Sequence, residues 1–553
     1  MGKEMKYIRG YPEYMRESIA LVEKTREKRA GKLPPQMTMD GREEVLNLCH
    51  PDYAPGGKRA ISIGPNEGDI APNEVVDLLE AWSLIGMDEL DLDNIDYDTD
   101  ILIIGGGLAG TSAALLADDS GVATDRILLT NKLRHGDANS IMAQGGTQAA
   151  DRPNDSPIIH YIDTLGGGHF TNKPDVVKAL VEDAPKVIKW LSELGAIFDR
   201  DEGGNFTELS GGGAARKRMH ACEDYTGLEE LRVLRDEFRN RKIPFLEYSP
   251  VIELLTDGDR VTGAVLFNLE TGEYKIVRAK AVILATGGLG RLHVRGFPTT
   301  NHYGASADGL VIAYRAGAKL RDMDSMQYHP TGAAYPQQII GLLLTEKLRT
   351  SGAQVINGKG EAFVFPLEPR DVEASAIIRE CYIRDNGITT PTGMRGVWLD
   401  TPLIEIVKGE GYAQSAFPAM VRMFKRFGID MTEDPVLIFP TLHYQNGGVE
   451  TDPWGRTNLK GLWVAGEISG GVHGKNRLMG NSTLDCVVFG RRAGTSTAEY
   501  INSGEPAGKM TLEHVKRYNK MLKGARIKTD RKSPMILPDY RGKMALARMI
   551  DVF

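Results

Sequence analysis

The sequence has 553 residues and a mass of 60.6 kDa, which is too long for one hydrophobic core and predicts two or three domains. A formal net charge of −7 leaves no basic excess for phosphate groups and argues against nucleic-acid binding. The chain shows no apolar run long enough to span a bilayer, and residues 1–18 lack a signal-peptide core and a twin-arginine motif. We therefore expect a cytoplasmic protein without direct membrane insertion, whose contact with the inner face of a membrane would go through partner subunits.

The four cysteines, Cys49, Cys222, Cys381 and Cys486, lie far apart and include no CxxC pair. No familiar spacing for an iron–sulfur cluster or a structural zinc site is present, so no metal site is predicted. Widely separated cysteines are typical of a reduced, cytoplasmic setting.

Residues 1–97 differ in composition from the rest of the chain. The stretch "PEYMRESIALVEKTREKRAG" has apolar residues at helical spacing and closes on Gly31, and "PNEVVDLLEAWSLIG" predicts a second helix that stops at Gly86. This N-terminal helical extension either packs on the main body or serves as a docking arm for a partner. The sequence leaves both interpretations open.

From residue 100 the pattern becomes strand, turn and helix, seen in "DILIIGGGLAGTSAALLA", "RILLTNK", "AKAVILATGGLGR" and "GLWVAGEISG". This alternation predicts an α/β fold with a Rossmann-like domain in two parts, residues 98–292 and 440–502. Residues 293–439 interrupt the strands and are expected to form an inserted α+β capping domain. Residues 503–553 hold one helical segment and an irregular basic end, which predicts a short helical C-terminal tail.

The motif "GGGLAG" follows a buried strand and precedes a helix. In this position Gly105 makes the tight turn, Gly107 lets a pyrophosphate approach the backbone, and Gly110 lets the helix pack against the strand. The helix N-terminus then faces the phosphates with its partial positive charge. The sequence therefore predicts a dinucleotide site.

One element departs from the usual dinucleotide pattern. The second strand ends in Thr130 and Asn131, where an acid usually takes the ribose hydroxyls, although a hydroxyl or an amide can still bond a ribose. Later in the chain, "ATGGLGR" supplies a second glycine turn and "AGE" supplies Glu467. Two nucleotide contacts far apart in sequence are typical of FAD enzymes, which favours FAD over NAD.

Nine motifs lie along the chain: "GGGLAG", "MAQGG", "ATGGLGR", "QYHPTG", "LLTEKLR", "PRD", "HYQNGG", "GE" and "HGKNRLMGNSTLD". In these motifs and their order, residues 98–500 resemble the flavoprotein subunits of succinate dehydrogenase and fumarate reductase, and their relative L-aspartate oxidase. The resemblance implies FAD contacts at Leu108, Ala109, Asn131, Lys132, Asn139, Ser140, Ala143, Gln144, Gly145, Gly146, Ala285, Thr286, Gly287, Asp308, Glu467, Asn481, Ser482 and Thr483, besides the three glycines.

The stretch "HPTGAAYPQQIIGLLLTEKLR" brings an imidazole, a hydroxyl, a carboxylate and a guanidinium onto one short piece of chain. The resemblance implies a dicarboxylate substrate, fumarate or succinate, whose carboxylates are held by His329, Thr345, His443 and Arg477. Charge-assisted donors suit carboxylates, and arginine offers a planar fork that lysine lacks.

The resemblance also implies that Arg370 gives a proton to the alkene carbon next to the one that receives hydride from flavin N5. Glu346 and Arg349 would then return a proton to Arg370. A guanidinium, with its pKa above about 12, suits this role because the carbanion-like centre is more basic still.

The chain departs from respiratory members of the family, many of which attach FAD covalently through a histidine shortly before "AQGG". That position is Asn139 here, and His135 lies four residues earlier. We therefore predict non-covalent FAD. A covalent histidyl link is understood to raise the flavin potential, so its absence favours reduction of an alkene over oxidation of succinate.

The C-terminal tail is shorter than in respiratory members. An iron–sulfur subunit is the expected electron-transfer partner, since electrons must arrive from another protein or a diffusing carrier. L-aspartate oxidase is the alternative function, and a bifurcating or scaffold flavoprotein that acts on another acid is a third. His220 resembles a position near the substrate in aspartate oxidases, but the spacing is off by about one residue and a structural histidine is preferred.

Overall fold

The structure, a computed structural model, describes residues 10–86 and 90–540. Its helices, numbered in chain order, are α1 Glu13–Arg29, α2 Met39–Cys49, α3 Asn73–Leu79, α4 Leu108–Asp119, α5 Pro157–Gly167, α6 Pro174–Glu193, α7 Thr226–Asn240, α8 Asp308–Ala316, α9 Lys347–Thr350, α10 Arg370–Ile378, α11 Leu403–Lys408, α12 Tyr412–Ala416, α13 Pro418–Lys425, α14 Asn481–Asn502 and α15 Glu513–Gly524. Among these helices, none combines the length and apolar character that crossing a bilayer requires.

The strands are β1 Lys58–Ala60, β2 Ile70–Pro72, β3 Trp82–Ser83, β4 Tyr97–Ile104, β5 Ile127–Thr130, β6 Thr147–Gln148, β7 Met219–His220, β8 Phe245–Leu246, β9 Val251–Asp257, β10 Arg260–Phe267, β11 Tyr274–Leu284, β12 Leu320–Arg321, β13 Met326–Ala333, β14 Gln354–Ile356, β15 Ile388–Thr389, β16 Arg395–Asp400, β17 Val436–Gln445, β18 Gly448–Glu450, β19 Leu462–Val464, β20 Ser469–Gly470 and β21 Lys532–Ser533. The predicted basic end of the chain, beyond residue 540, lies outside the described residues.

A seven-stranded sheet, here called the large sheet, organises the first half of the fold. Its strand order is β8-β5-β4-β11-β10-β9, with β19 beside β11. Strands β8, β5, β4, β11 and β19 run parallel, because helices such as α4 return the chain across the sheet. Strands β10 and β9 are antiparallel additions. The strand–turn–helix pattern thus predicted the α/β fold correctly.

A second, antiparallel sheet has five strands in the order β13-β17-β16-β14, with β15 beside β16. We call it the capping sheet. Strands β13 and β17 are almost wholly buried, and helix α10 packs against both. The predicted boundary between residues 439 and 440 falls inside β17, so this strand continues from one predicted domain into the other. The other domain boundaries stay predictions.

The N-terminal extension packs on the rest of the molecule. Helix α1 is anchored by Arg26 and Arg29, which bind the buried carboxylate of Asp400 at 2.8 and 2.7 Å. Helix α2 packs against α10, and the buried carboxylate of Glu368 accepts a hydrogen bond from the Met37 backbone at 2.6 Å and ion-pairs with an arginine of α2 at 2.7 Å.

The second helix predicted in the N-terminal extension was expected to continue to Gly86, and it is shorter in the structure. Helix α3 ends at Leu79, because residues 82–83 form strand β3, which pairs with β21 near the end of the described chain. Helix α2 was not predicted from the sequence. Its start is capped by Thr38, whose hydroxyl accepts from the backbone of Gly41.

Candidate active site

A cavity of about 1540 Å³, including its open mouth, lies between the large sheet and the capping sheet. The turn between β4 and α4 forms one end of the cavity. Side chains from β13, β17, the start of α10 and the loop before α14 form the other end.

The glycine turn has the geometry that a phosphate-binding loop needs. Gly105 adopts a φ of 112°, and a Cβ atom there would lie 2.2 Å from the carbonyl oxygen of Ala285. At Gly110 a Cβ would lie 1.8 Å from the carbonyl oxygen of Gly105, so α4 packs directly on the turn. The backbone N–H of Leu108 donates to the Ser140 hydroxyl at 3.2 Å. The N-terminus of α4 thus opens into the cavity beside this hydroxyl.

Polar side chains frame the same end of the cavity. Asn131 accepts from the backbone N–H of Gly106 at 3.2 Å and so holds the turn from the neighbouring strand. Lys132 forms an ion pair with Asp308 at 2.9 Å, and both line the cavity. The residues present therefore offer backbone donors, one cation and one carboxylate to a nucleotide.

Besides an atom of Arg477 at the other end, two buried polar atoms on the cavity wall have no hydrogen-bond partner among the described residues. They are the hydroxyl of Thr286 and the side-chain carbonyl of Gln144. Buried polar groups in proteins are almost always paired, so orphans on a cavity wall are typical of a ligand site. These residues fit a bound FAD.

Asn139, the residue on which the prediction of non-covalent FAD rests, lines the cavity. Its amide donates to Asn301 at 2.6 Å and to Glu467 at 3.0 Å. Burial raises the pKa of the Glu467 carboxyl, although the Gln445 backbone N–H and Asn139 both donate to it. His135 does not line the cavity, because its ring binds Thr111 at 3.1 Å.

Asn481, one of the predicted cofactor contacts, does not line the cavity. Its side chain binds His160 at 2.9 Å and Thr164 at 3.1 Å, so it ties the start of α14 to α5 and does not line the cavity. Thr483, two residues later, does line the cavity and shares a hydrogen bond of 2.6 Å with Thr147.

At the other end of the cavity, His329 and His443 face each other across β13 and β17 with ring centroids 5.0 Å apart. Burial, and next the positive charge of Arg370, lowers the pKa of both imidazoles well below the usual value, so both are neutral. The Thr331 backbone N–H donates to Nδ1 of His329 at 3.2 Å. Since Nδ1 accepts, the proton of this neutral ring lies on Nε2.

Arg370 is the first residue of α10 and is 7% exposed. Its Nε donates to Glu346 at 2.9 Å, and its Nη1 donates to Gln327 at 3.0 Å. The pKa of Glu346 is lowered, because the two arginines beside it outweigh burial, and Gly212 also donates to it at 2.8 Å. Glu346 is therefore ionised between Arg370 and Arg349, the latter at 3.4 Å.

Arg477 supplies a second buried guanidinium, 2% exposed, in the loop between β20 and α14. It stacks over the ring of Tyr444 with 4.4 Å between the guanidinium carbon and the ring centroid. Burial and the like charge of Arg370 lower its pKa to about 9, and its Nε has no partner among the described residues. Thr345, 1% exposed, also lines this end.

The structure brings most of the predicted site residues into one cavity. Of those named from the sequence, three do not line it: Gly110, Arg349 and Asn481. Arg349 lies behind Glu346, where its guanidinium donates a hydrogen bond to the buried carboxyl group of Glu373.

Sequence reasoning missed Gln327 and Thr331, which orient Arg370 and His329. Both lie two residues from His329 on β13, and side chains two apart in a strand share a face, so a signal for them was present. Thr300, which binds His443 at 2.7 Å, gave no comparable signal.

The chain is similar to known proteins over most of its length. The FAD binding domain family matches residues 100–483. A fumarate reductase (CoM/CoB) subunit from Methanothermobacter marburgensis is 38% identical over 407 residues, which cover 72% of this chain and 72% of that protein. L-aspartate oxidase from Agrobacterium fabrum is 37% identical over 402 residues, which cover 71% of this chain and 72% of that protein.

Among solved structures, the FrdA chain of E. coli quinol fumarate reductase superposes with a TM-score of 0.69 at 30% identity, over 77% of this chain and 74% of that one. The matched family segment contains the glycine turn and the pocket of histidines and arginines. FAD is confirmed as the cofactor. The chain belongs to the family of fumarate reductase and succinate dehydrogenase flavoproteins, FAD-dependent oxidoreductases that act on CH–CH bonds, with L-aspartate oxidases among its relatives.

Proposed function

We propose that this protein is the flavoprotein component of a fumarate reductase-like enzyme, which reduces the carbon–carbon double bond of fumarate or a related unsaturated dicarboxylate. The observation that carries the proposal is the pair of buried guanidinium groups, Arg370 and Arg477, at one end of the cavity beside two neutral imidazoles. Two neighbouring buried cations repel each other, and a dianion between them would remove that cost.

The cofactor would lie along the cavity without a covalent bond to the chain. The glycine turn and the N-terminus of α4 would hold the pyrophosphate, while Asn131, Lys132 and Asp308 supply polar contacts at that end. Asn139 and Glu467 lie further along the wall. Bound there, FAD would supply the hydride that adds to one alkene carbon.

The substrate carboxylates would be held by His329 and Thr345 on one side and by His443 and Arg477 on the other. His329 presents Nε2–H as a neutral donor, because its Nδ1 already accepts from the backbone. Charge-assisted bonds from Arg477 are stronger than neutral ones and fix the second carboxylate. Donors on both carboxylates also make the alkene more electrophilic, which lowers the barrier to hydride addition.

Arg370 would donate a proton to the alkene carbon next to the one that receives hydride. Its Nε and Nη1 are engaged by Glu346 and Gln327, so Nη2 remains for the substrate. After donation, the carboxylate of Glu346 would take a proton from Arg349, at 3.4 Å, and pass it to the guanidine of Arg370, at 2.9 Å. Hydride and proton together convert fumarate to succinate.

An electron-transfer partner is part of the proposal. The four cysteines are free and far apart, so the chain does not provide cluster ligands by any familiar spacing. The relatives include components of multi-subunit fumarate reductases. We therefore expect an iron–sulfur protein to deliver electrons, and iron analysis of the protein purified from its native source tests this.

The direct test is an anaerobic assay of the FAD-loaded protein with a reduced dye as electron donor. Fumarate-dependent oxidation of the dye, with succinate formed in equal amount, is the expected result. A parallel assay measures iminoaspartate formation from L-aspartate, because relatives named L-aspartate oxidase are as similar as the fumarate reductases. Activity with aspartate alone would refute fumarate reduction, and activity with neither would refute both.

Denaturation in acid separates the two modes of flavin attachment. We expect all flavin to appear in the supernatant, since Asn139 cannot form the histidyl link. Flavin that precipitates with the polypeptide would refute non-covalent binding.

A further inference from the structure

A second cluster of ligand-type side chains lies outside the cavity, where three segments distant in sequence meet. His220 belongs to β7, Asp151 follows β6, and Glu208 lies in the irregular segment 201–209. One potential ligand atom from each of these side chains lies within 4.8 Å of the other two. No part of this cluster was predicted from the sequence as a metal site.

His220 is fully buried and lacks the hydrogen bonds that such a ring normally has. Neither ring nitrogen has a partner among the described residues. Its Nε2 lies 3.3 Å from Oδ1 of Asp151, but not at a hydrogen-bonding angle. The rings of Phe198 and Phe206 pack edge-on against it. A buried imidazole that makes no hydrogen bond is costly, so a ring nitrogen that faces two carboxylates, with Asp151 at ion-pair distance, indicates a missing ligand.

Neither carboxylate facing His220 accepts a hydrogen bond from a lysine or arginine among the described residues. The Oε1 atom of Glu208 is buried without a hydrogen bond, and the nearest cation, Nε of Arg152, is 3.8 Å away. Arg218, the other arginine nearby, is engaged by two different aspartates at 2.6 and 2.7 Å.

We propose that His220, Asp151 and Glu208 bind one divalent first-row transition-metal ion, of which Zn²⁺ and Mn²⁺ are the probes. One imidazole nitrogen with two carboxylate oxygens is a donor set that these ions accept. Asp151 reaches the surface, so an ion can enter from solvent and complete its coordination with water.

The position of the cluster indicates what the metal would do. Strand β7 pairs with β6 through His220 and Thr147, and Gly146, the residue before β6, lines the FAD cavity. A bound ion would join segment 201–209 to this strand pair. The metal is therefore expected to stabilise the wall of the cavity without taking part in the reaction.

The test uses the full chain with FAD bound, stripped of metal with a chelator and titrated with ZnCl₂ or MnCl₂ by calorimetry. Asp151→Asn and Glu208→Gln each remove one ligand charge with little change in shape. Glu202→Gln is the matched control, because Glu202 is an exposed acid of the same segment and lies outside the cluster. These variants avoid replacing the buried histidine, whose loss could prevent folding.

We expect the wild-type protein and Glu202→Gln to bind one equivalent of at least one of the two ions. Asp151→Asn and Glu208→Gln should each bind it about tenfold more weakly or worse, a loss of about 1.4 kcal/mol. The metal should raise the unfolding temperature of the wild-type protein and of Glu202→Gln more than that of Asp151→Asn and Glu208→Gln. Absence of stoichiometric binding to the wild type, or wild-type affinity in either ligand variant, would overturn the proposal.

Discussion

The proposed proton donor can be tested by replacing Arg370 with glutamine and, separately, with lysine. Glutamine keeps a hydrogen-bonding side chain but removes the acidic guanidinium. Lysine keeps the charge and a transferable proton, but a single ammonium group cannot reproduce the fork that reaches Glu346 at 2.9 Å and Gln327 at 3.0 Å together.

The expected size of the effect follows from the position of Arg370. General acid catalysis contributes about 10²- to 10⁴-fold, or about 3–5 kcal/mol of barrier. We expect Arg370→Gln to lose turnover in that range, and Arg370→Lys to lose less. Because His329, His443 and Arg477 remain, KM for fumarate should change by less than about tenfold in either variant.

The assay measures kcat and KM for fumarate with a reduced dye, after each variant is normalised to its bound flavin. Arg517→Gln, an exposed arginine on α15, is the control for loss of positive charge. Unfolding temperature is recorded as well, since Arg370→Gln leaves the buried Glu346 with one arginine fewer. A rise in KM with kcat unchanged would mean that Arg370 only binds substrate, and would refute its role as the donor.

Three further predictions concern charge burial, the extension and the glycine turn. Burial raises the pKa of Glu373 from 4.5 to about 8 despite its pairing with Arg349. The folded state therefore holds a proton that the unfolded state has lost, and stability falls as pH rises through this window. Between pH 6 and 8 the wild type should lose about 2 kcal/mol relative to Glu373→Gln, measured by urea unfolding; parallel profiles would contradict this. Asp400→Asn removes the partner of two α1 arginines and should destabilise the docking of α1 by about 2–3 kcal/mol, seen as earlier proteolysis within residues 10–31; an unchanged cleavage rate would speak against the anchor. Gly105→Ala, where a Cβ meets a backbone carbonyl at 2.2 Å, should weaken FAD binding about tenfold or more. Gly121→Ala, also at positive φ but with nothing within 4 Å, should leave FAD affinity unchanged, and equal losses would exclude the clash as the cause.

The parts of the fold that could be predicted are those with strong local patterns. Strand β4, its glycine turn and α4 lie within 23 residues of chain, where apolar runs and glycines carry the information. The early end of α3 was not predictable in this way, because β3 pairs with a strand about 450 residues later, a distance that no local pattern spans. Helix α2 was missed because it is only 11 residues long and has a glycine in its first turn.

The candidate site, too, has features that the sequence could predict and features that it could not. Short motifs identify its residues by type and order, and the structure brings nearly all of them to one cavity. The motifs do not show in which direction each side chain points. Asn481 sits in a motif but turns towards α5, while Thr300 lies outside every motif and binds His443. The cluster of His220, Asp151 and Glu208 depends wholly on three segments meeting in space.

The contact between α2 and α10 has a consequence for how this enzyme is handled. Glu368 lies two residues before Arg370, and its side chain receives its hydrogen bond from Met37 and its ion pair from Arg42, both in the N-terminal extension. A preparation that lacked Met37 and α2 would keep every phosphate-binding group. It would therefore still bind FAD and be yellow. Arg370, however, would then begin α10 without α2 packed against that helix, and the buried carboxylate of Glu368 would have lost its partners. The yellow colour of bound FAD would then be a poor measure of the fraction of the sample that can catalyse the reaction.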